Sequence, residues 1–429
     1  MDLAVRRVAA LEGQLRPPSD KSLTHRAYML AAVAQGESVI TNQLVSQDCE
    51  HTLECMRQLG LKSESVSSTE VRLSSTGTWH QPSATLYCGN SGTTIRLLSG
   101  LVASRDMTTV LDGDESLQRR PMRRIAQPLT LMGAQVEGEM PPLIINGKDR
   151  LTAIDYRSPV ASGQIKSCIL LAGLRADGTT TVREPSLSRD HTERMLGALG
   201  VDVRSISGEN ESVATIVGGA SLPGFKFNVP ADISSAAFFL VAAAIVPGSQ
   251  IQLFDVGINP TRTGIFDVLE QAGVTYTLEN MRDELREPVA DIEIRTPSLL
   301  QSFDIGGDLV PRLLDEIPVL AVLATQCDGV STIRDASELR VKESDRIELI
   351  ASNLRAMGAT VEVFPDGLQI EGPVRLKAAR IESGGDHRIA MAFAIAGLIA
   401  DGETVIADAQ NIATSYPDFE QHLWKLAVV

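Results

Sequence analysis

Arg16-Pro-Pro-Ser-Asp-Lys-Ser-Leu-Thr-His-Arg26 runs directly into the apolar stretch Ala27 to Ala34, and the strand-like Gly36-Glu-Ser-Val-Ile40 follows. A polar cluster, an apolar helix, a glycine turn and a short strand thus succeed one another. The same succession returns five more times, at intervals of roughly 70 to 80 residues. Its turn-strand pieces are Asp106-Met-Thr-Thr-Val110, Gly178-Thr-Thr-Thr-Val182, Gly248-Ser-Gln-Ile-Gln252, Gly329-Val-Ser-Thr-Ile333 and Gly402-Glu-Thr-Val-Ile406. Its polar clusters are Gly89-Asn-Ser-Gly-Thr93, Ser162-Gly-Gln164, Pro230-Ala-Asp232, Asp315-Glu-Ile-Pro318 and Gly385-Asp-His-Arg388. Each cluster falls at the start of an expected helix, where unpaired backbone N–H groups and the helix dipole favour anions. Six equivalent starts point to a shared site for a highly anionic ligand set.

A second junction recurs in phase with the first. Gly60, Gly133, Gly200, Gly273 and Gly358 each end an amphipathic helix and precede an alternating strand, as in Arg355-Ala-Met-Gly-Ala-Thr-Val-Glu-Val363. Glycine suits the left-handed position that closes a helix. The sixth copy is expected in Phe419 to Val429, which stops before its strand. Each unit then holds about two helices and several short strands, an α+β pattern with three units in each half. At 429 residues the chain exceeds one ordinary core, so two domains are expected. Leu15-Arg-Pro-Pro18 and Phe227-Asn-Val-Pro230 read as stiff crossings between them. The first domain is expected at 17–228 and the second at 229–429 plus 1–16, where the run Leu3 to Leu11 supplies a strand. Two neighbouring crossings would form a hinge.

Hydrophobic residues make up 43% of the chain, which fits a globular protein. No apolar run nears the roughly 20 charge-free residues of a membrane span. The start Met1-Asp-Leu-Ala-Val-Arg-Arg7 lacks an apolar signal core, so a cytoplasmic location is expected. Cys49, Cys55, Cys88, Cys168 and Cys327 are scattered and read as reduced, buried thiols. No Cys/His spacing suggests a metal site, and no cofactor is called for. A net charge of −15 disfavours a nucleic-acid partner. In so acidic a chain, cations gathered beside glycines and serines at helix starts need a local cause.

Ser19 or Asp20 can cap a helix starting near Lys21. Ser22 and Arg26, four apart on that helix, share a face and can reach one phosphate or carboxylate. Tyr87-Cys-Gly-Asn-Ser-Gly-Thr-Thr-Ile-Arg96 sets Gly89 and Gly92 around a strand-to-helix turn, where a ligand can approach the backbone. It lacks the features of a P-loop or a dinucleotide fingerprint, and a purely structural turn explains it equally well. Arg119, Arg120, Arg123 and Arg124 stand before a helix, and guanidinium forks match phosphate and carboxylate oxygens. Salt bridges to Asp112, Asp114 and Glu115 would absorb two of them. Ser162-Gly-Gln164-Ile-Lys166 and Ser188-Arg189-Asp-His191 add neutral donors and two further cations. In the second half, Asp315 and Glu316 precede a charge-free helix, either as simple caps or as functional carboxylates. Lys342 and Arg346 are four apart, with Glu343 one position off that line. Acid, base and anion clamp in one short stretch suit proton transfer on a phosphorylated substrate.

Taken in order, Ser19-Asp-Lys-Ser-Leu-Thr-His-Arg26, Gly89-Asn-Ser-Gly-Thr-Thr-Ile-Arg96, Arg120-Pro121, Arg340-Val-Lys-Glu-Ser-Asp-Arg346 and Asp386-His-Arg388 resemble the motifs of the 5-enolpyruvylshikimate-3-phosphate synthase family. The resemblance runs nearly the whole chain. It implies a two-domain inverse α/β barrel, or α/β prism, with three βαβαββ-like units per domain, closing over its ligands as a monomer. It also implies transfer of the enolpyruvyl group of phosphoenolpyruvate to the 5-hydroxyl of shikimate 3-phosphate, without a cofactor, in the shikimate pathway that glyphosate targets. By the same resemblance Lys21, Ser22, Arg26, Ser162, Gln164 and Arg189 hold shikimate 3-phosphate. Lys21, Gly92, Arg120, Gln164, Arg346 and Arg388 hold phosphoenolpyruvate, with Lys342 nearby. Asp315 takes the place of the acceptor for the 5-hydroxyl proton. Glu343 matches a residue for proton transfer at the methylene carbon, and Lys21 shares that traffic. Three departures stand out. Gly163 lies where many relatives carry a second serine, Thr414 where some carry a phosphate-binding lysine, and Leu97 where some have proline; the last leaves the glyphosate response open. Two alternatives remain. The sister transferase acting on UDP-N-acetylglucosamine typically has a reactive loop cysteine and a Lys-Asn pair where this chain has Lys21-Ser22. A non-catalytic phospho-ligand binder would be favoured by loss of Asp315, Glu343 or Lys21.

Overall fold

In a computed structural model describing residues 1–208 and 211–428, each repeat runs strand, inner helix, strand, outer helix, then two antiparallel strands, with local variations. The second repeat shows the plan. Leu86–Tyr87 lies parallel to Thr108–Asp112, which pairs antiparallel with Leu143–Asn146, and that strand pairs in turn with Gln135–Glu137. The sheets of the third and fifth repeats keep this strand order. A parallel pair needs a crossover helix, whereas the antiparallel pair closes as a hairpin.

The chain divides into two units, Ser19–Val229 with Asp283–Glu287, and Met1–Pro18 with Pro230–Arg282 and Pro288–Val429. In the first unit, Lys226–Asn228 runs parallel to Gln35–Thr41, with Phe227 opposite Ile40. The first repeat therefore takes its opening strand from the far end of its own half. In the second unit Ala10–Leu15 fills the same place beside Gln250–Gly257, and Leu3–Arg6 pairs antiparallel with Glu403–Ile406. The N-terminal segment supplies two strands where one was expected. The sixth copy also differs from expectation, because it does not stop before its strand. Ala427–Val428 pairs with Ala10 and Leu11, whose other edge is taken further along by Gln250–Gly257. Two residues beyond the last helix suffice for that contact; Val429 lies outside the described residues.

Six inner helices carry the polar clusters at their starts. They are α1 (Lys21–Val33), α2 (Gly92–Ala103) and α3 (Gly163–Gly173) in the first unit, and α4 (Ile233–Ile245), α5 (Ile317–Ala324) and α6 (His387–Gly397) in the second. Every residue of α4 and α5 is buried, as helices apolar on all sides require. The sheets lie outside them with alternating faces; Thr179–Glu184 buries Thr180, Val182 and Glu184. Helices inside and strands outside invert the usual α/β layering. Against α4, Phe239, Tyr416 and Phe419 meet with ring centroids 5.4–6.0 Å apart. Full burial of each such ring contributes about 2–3 kcal/mol. The five phased glycines that end the outer helices have φ between 77° and 114°, so the second junction is a left-handed closure each time. Among the described residues no helix is long and apolar enough to cross a membrane.

Candidate functional site

In the first unit the helix starts are built by capping. Asp20 accepts the Leu23 N–H at 2.7 Å ahead of α1, and Ser91 accepts that of Thr94 at 3.0 Å ahead of α2. Ser162 caps α3 at the long distance of 3.5 Å. Two of these starts are tied together by side chains. Arg96 Nη1 donates to Gln164 Oε1 at 2.6 Å, and Gln164 Nε2 donates to Thr93 Oγ1 at 3.1 Å. Arg120 Nη2 donates to Asn90 Oδ1 at 2.6 Å, and Asn90 in turn donates to Asp114 at 2.8 Å. A Cβ on Gly92 would stand 2.8 Å from Arg96 Nη1 and 3.3 Å from Arg120 Nη1. Gly92, Arg96, Arg120 and Gln164 therefore form one cationic, donor-rich patch. Gly89, at φ +58°, lies directly beneath the His51 ring, where any Cβ would collide.

The remaining residues of this unit gather around α1 and α3. Lys21 Nζ lies 3.1 Å from Asp48 Oδ2 and stays partly exposed. Arg26 is buried and donates to Thr192 Oγ1 and Ser167 Oγ, both at 2.8 Å, and to the Ser22 carbonyl at 3.0 Å. Burial pulls its pKa down to about 10, leaving it charged at neutral pH. Arg189 packs on Gly163, where a Cβ would be 3.1 Å from Arg189 Cβ. Three expectations fail here. Lys166 is not a ligand-facing cation, because its place on α3 turns it into the core beside Glu184 and Glu193. His191, from the same pair of clusters, is buried against Glu287 at 2.9 Å. The four arginines do not all precede the helix, since Arg123 and Arg124 open Arg123–Leu131 and are exposed. Leu97 is fully buried within α2, which runs unbroken through it.

In the second unit Asp315 sits in the turn before α5, with three cations on it. Arg346 Nη1 is 3.2 Å and Lys342 Nζ 3.5 Å from Oδ1, and Arg388 Nη2 is 3.8 Å from Oδ2. Arg388 Nη1 also donates to the Asp315 carbonyl at 3.2 Å. Arg346 is 1% exposed and holds two more carboxylates, Asp386 at 2.7 Å and Glu343 at 2.6 Å. Burial opposes its charge, but Asp386, Glu343 and Asp315 outweigh that and hold its pKa above the ordinary value. Burial likewise works to raise the Asp386 carboxyl, yet Arg346 overcomes it and leaves it below the ordinary range. Asp386 also caps α6 through the Arg388 N–H at 2.9 Å. Glu316 makes no side-chain cap to α5; its carboxylate accepts from Ser234 Oγ. The spacing of Lys342 and Arg346 is not a helical one. Lys342 ends the tight turn Ser337–Val341 and Arg346 opens Arg346–Ala356, so the two meet through Asp315.

Sequence reasoning left out Arg96, Asn90 and Asp48 as working residues. Arg96 had a signal, since it lies one helical turn after Gly92 in the same motif. Asp48 had none, because its approach to Lys21 depends on how α1 meets the helix Gln47–Gln58. All five cysteines are buried and unpaired, and burial pushes the Cys49 and Cys327 thiols up to about 12. Neither of these two is poised as a thiolate nucleophile.

Comparison with known proteins identifies the family. The family model for EPSP synthase (3-phosphoshikimate 1-carboxyvinyltransferase) matches residues 5–423. The 3-phosphoshikimate 1-carboxyvinyltransferase of Bacillus thuringiensis (strain Al Hakam) is 48% identical over 424 residues, covering 97% of each chain. A solved EPSP synthase from Acinetobacter baumannii superposes with a TM-score of 0.89 at 42% identity, over 100% of this chain and 98% of the other. The enolpyruvyl transferase NikO from Streptomyces tendae, at 20% identity and a TM-score of 0.80 over 99% and 96% of the chains, shares the fold. With inverted three-repeat units, motifs in order and a match along nearly its whole length, the chain belongs to the EPSP synthase (3-phosphoshikimate 1-carboxyvinyltransferase) family.

Proposed function

We propose that this chain transfers the enolpyruvyl group of phosphoenolpyruvate to the 5-hydroxyl of shikimate 3-phosphate and releases phosphate, with its site residues divided between the units. In the first, Lys21, Ser22, Arg26, Ser162, Gln164 and Arg189 hold shikimate 3-phosphate. Gly92, Arg120, Gln164 and Lys21 meet phosphoenolpyruvate there, and Lys342, Arg346 and Arg388 serve it from the second. Two multiply charged anions repel one another, so a concentration of guanidinium groups and helix starts is the physical requirement. The product regains a carbon–carbon double bond, so the methylene carbon must gain and then lose a proton. The 5-hydroxyl loses its proton as its oxygen bonds to the central carbon, and the carbon–phosphate oxygen bond breaks. Asp315 accepts the hydroxyl proton, Glu343 serves the methylene carbon, and Lys21 shares the traffic.

The observation that carries this reading is the Asp315–Lys342–Arg346–Arg388 cluster, a carboxylate set among three cations in an acidic chain. Purified protein should release phosphate from phosphoenolpyruvate only when shikimate 3-phosphate is present. Turnover with UDP-N-acetylglucosamine instead would overturn the assignment; five buried thiols already weigh against that sister activity. The presence of Asp315, Glu343 and Lys21 weighs against a purely binding role. The same reading places the enzyme in the cytoplasm as a monomer. Unpaired thiols fit a reducing compartment, and a charge of −15 fits small anionic substrates held locally rather than nucleic acid.

Gly92 gives a further check. A Cβ there would push on the Arg96 and Arg120 guanidinium groups, whose ends can move but whose aim would change. Gly92→Ala should raise KM for phosphoenolpyruvate about tenfold or more in steady-state assays, with a smaller change for shikimate 3-phosphate. Equal changes for both substrates would remove Arg120 from phosphoenolpyruvate binding.

A further inference from the structure

Lys166, Glu184 and Glu193 are buried ionisable groups with no part in the reaction as described. Lys166 Nζ lies 3.1 Å from Glu184 Oε2 and 2.9 Å from Glu193 Oε1, and donates to the Ser188 carbonyl at 3.1 Å. Glu184 ends the strand Thr179–Glu184. Its Oε1 accepts the Ser162 N–H at 2.7 Å, and its two oxygens accept the Ser188 hydroxyl at 2.8 and 2.7 Å. Buried ion networks of this kind are seldom more stable than apolar side chains of the same volume. Stability alone therefore does not account for this one.

The groups at its edge suggest what it does. Ser162 is the start of α3, and its hydroxyl caps that helix only weakly, at 3.5 Å. Its backbone is held instead by the charge-assisted bond to Glu184. Ser188 is fixed at both ends, its hydroxyl by Glu184 and its carbonyl by Lys166, and Arg189 follows directly. Gly163 packs closely on Arg189: a Cβ there would stand 3.1 Å from Arg189 Cβ and 3.2 Å from its carbonyl oxygen, so Arg189 would have to give by a few tenths of an ångström. Residues 162–163 and 188–189 are thus held in one block.

We propose that Lys166 and Glu184 are positioning residues that hold Ser162 and Arg189 at the one spacing suited to the phosphate and hydroxyl groups of shikimate 3-phosphate. This rests on the reading of Ser162 and Arg189 as ligands of that substrate. An ionised carboxylate offers only acceptors, matching the three donors Ser162 N–H, Ser188 O–H and Lys166 N–H. Lys166 also sets an opposite charge 3.1 Å from Oε2. A glutamine at 184 would turn an N–H₂ group toward a donor.

Glu184→Gln is therefore expected to weaken shikimate 3-phosphate binding about tenfold by calorimetry on the full chain. KM for that substrate should rise in step, while KM for phosphoenolpyruvate changes clearly less. A merely structural role would shift both alike. A folded Glu184→Gln protein, checked by circular dichroism, whose affinity stays within about twofold of the parent would overturn the proposal. Should that variant not fold, Ser188→Ala decides, since it removes only a hydroxyl. It is expected to weaken binding by about threefold, and unchanged affinity would overturn the proposal in its turn. Arg189→Met tests the underlying reading separately. If it binds shikimate 3-phosphate like the parent, Arg189 is no ligand, whatever Glu184→Gln shows.

Discussion

Replacing Asp315 with asparagine is expected to lower kcat for phosphate release by about 10²- to 10⁴-fold, with KM for either substrate changed only a few-fold. Asparagine keeps the size and most of the polar contacts of the side chain but cannot take up a proton. The carboxylate is 12% exposed and surrounded by Lys342, Arg346 and Arg388, so no other described carboxylate holds the same three cations. On the proposed reading those cations also serve phosphoenolpyruvate. An arriving anion competes with Asp315 for them. Loss of the acceptor therefore removes a step that binding cannot replace, and the effect falls on turnover. Steady-state and single-turnover measurements on Asp315→Asn check this. Near-normal kcat would take Asp315 out of the proton transfer, and a rise confined to KM would make it a binding group only.

The repeat made most of the fold legible. Apolar runs, five of them closed by a glycine turn and one by the turn at Asp106, marked all six inner helices and the strands that follow them, because a helix surrounded by sheets must be apolar all round. What escaped was the pairing of segments distant in sequence. Nothing local in Leu3–Arg6 says that it joins Glu403–Ile406, and nothing in Lys226–Asn228 says that it opens the first repeat. The segment Asp283–Glu287 likewise belongs with the first unit for reasons only the fold supplies. For the site, helix starts and glycines showed where ligands would be met, since capping and close backbone approach have sequence signatures. Burial had no such signature. Lys166 and Arg189 look alike as cations beside serines, yet one is sealed against two glutamates and the other is not. Four-residue spacing misled at Lys342 and Arg346, because a turn and a helix start can imitate one helical face.

Arg346→Met should lower the Tm of the unit that carries it by roughly 10 °C at pH 7, the consequence of about 3–5 kcal/mol for stripping a buried charge from its partners. Arg346 is sealed, and its loss strands Asp386 in the interior with Glu343 and Asp315 beside it. The same substitution should abolish measurable use of phosphoenolpyruvate at ordinary concentrations, since a methionine offers no donors. The pH dependence separates a charge effect from a packing effect. In the parent protein the Asp386 carboxyl lies below its ordinary value of 3.8. Its contribution to stability is thus present above about pH 4 and is lost as pH falls through the lower folded value. In the variant the buried Asp386 carboxyl, deprived of Arg346, becomes easier to protonate in the folded state than in the unfolded one, so acidification relieves it. The gap in Tm between parent and Arg346→Met should therefore be widest near pH 7 and shrink steadily toward pH 4. A gap of the same size at both values would assign Arg346 to packing alone, and a gap under about 2 °C at pH 7 would mean that solvent or a neighbouring cation already compensates these carboxylates. Arg346→Lys, which restores the charge without the fork, should recover part of the Tm and little of the activity, because one ammonium cannot bond Asp386, Glu343 and Asp315 in the same geometry.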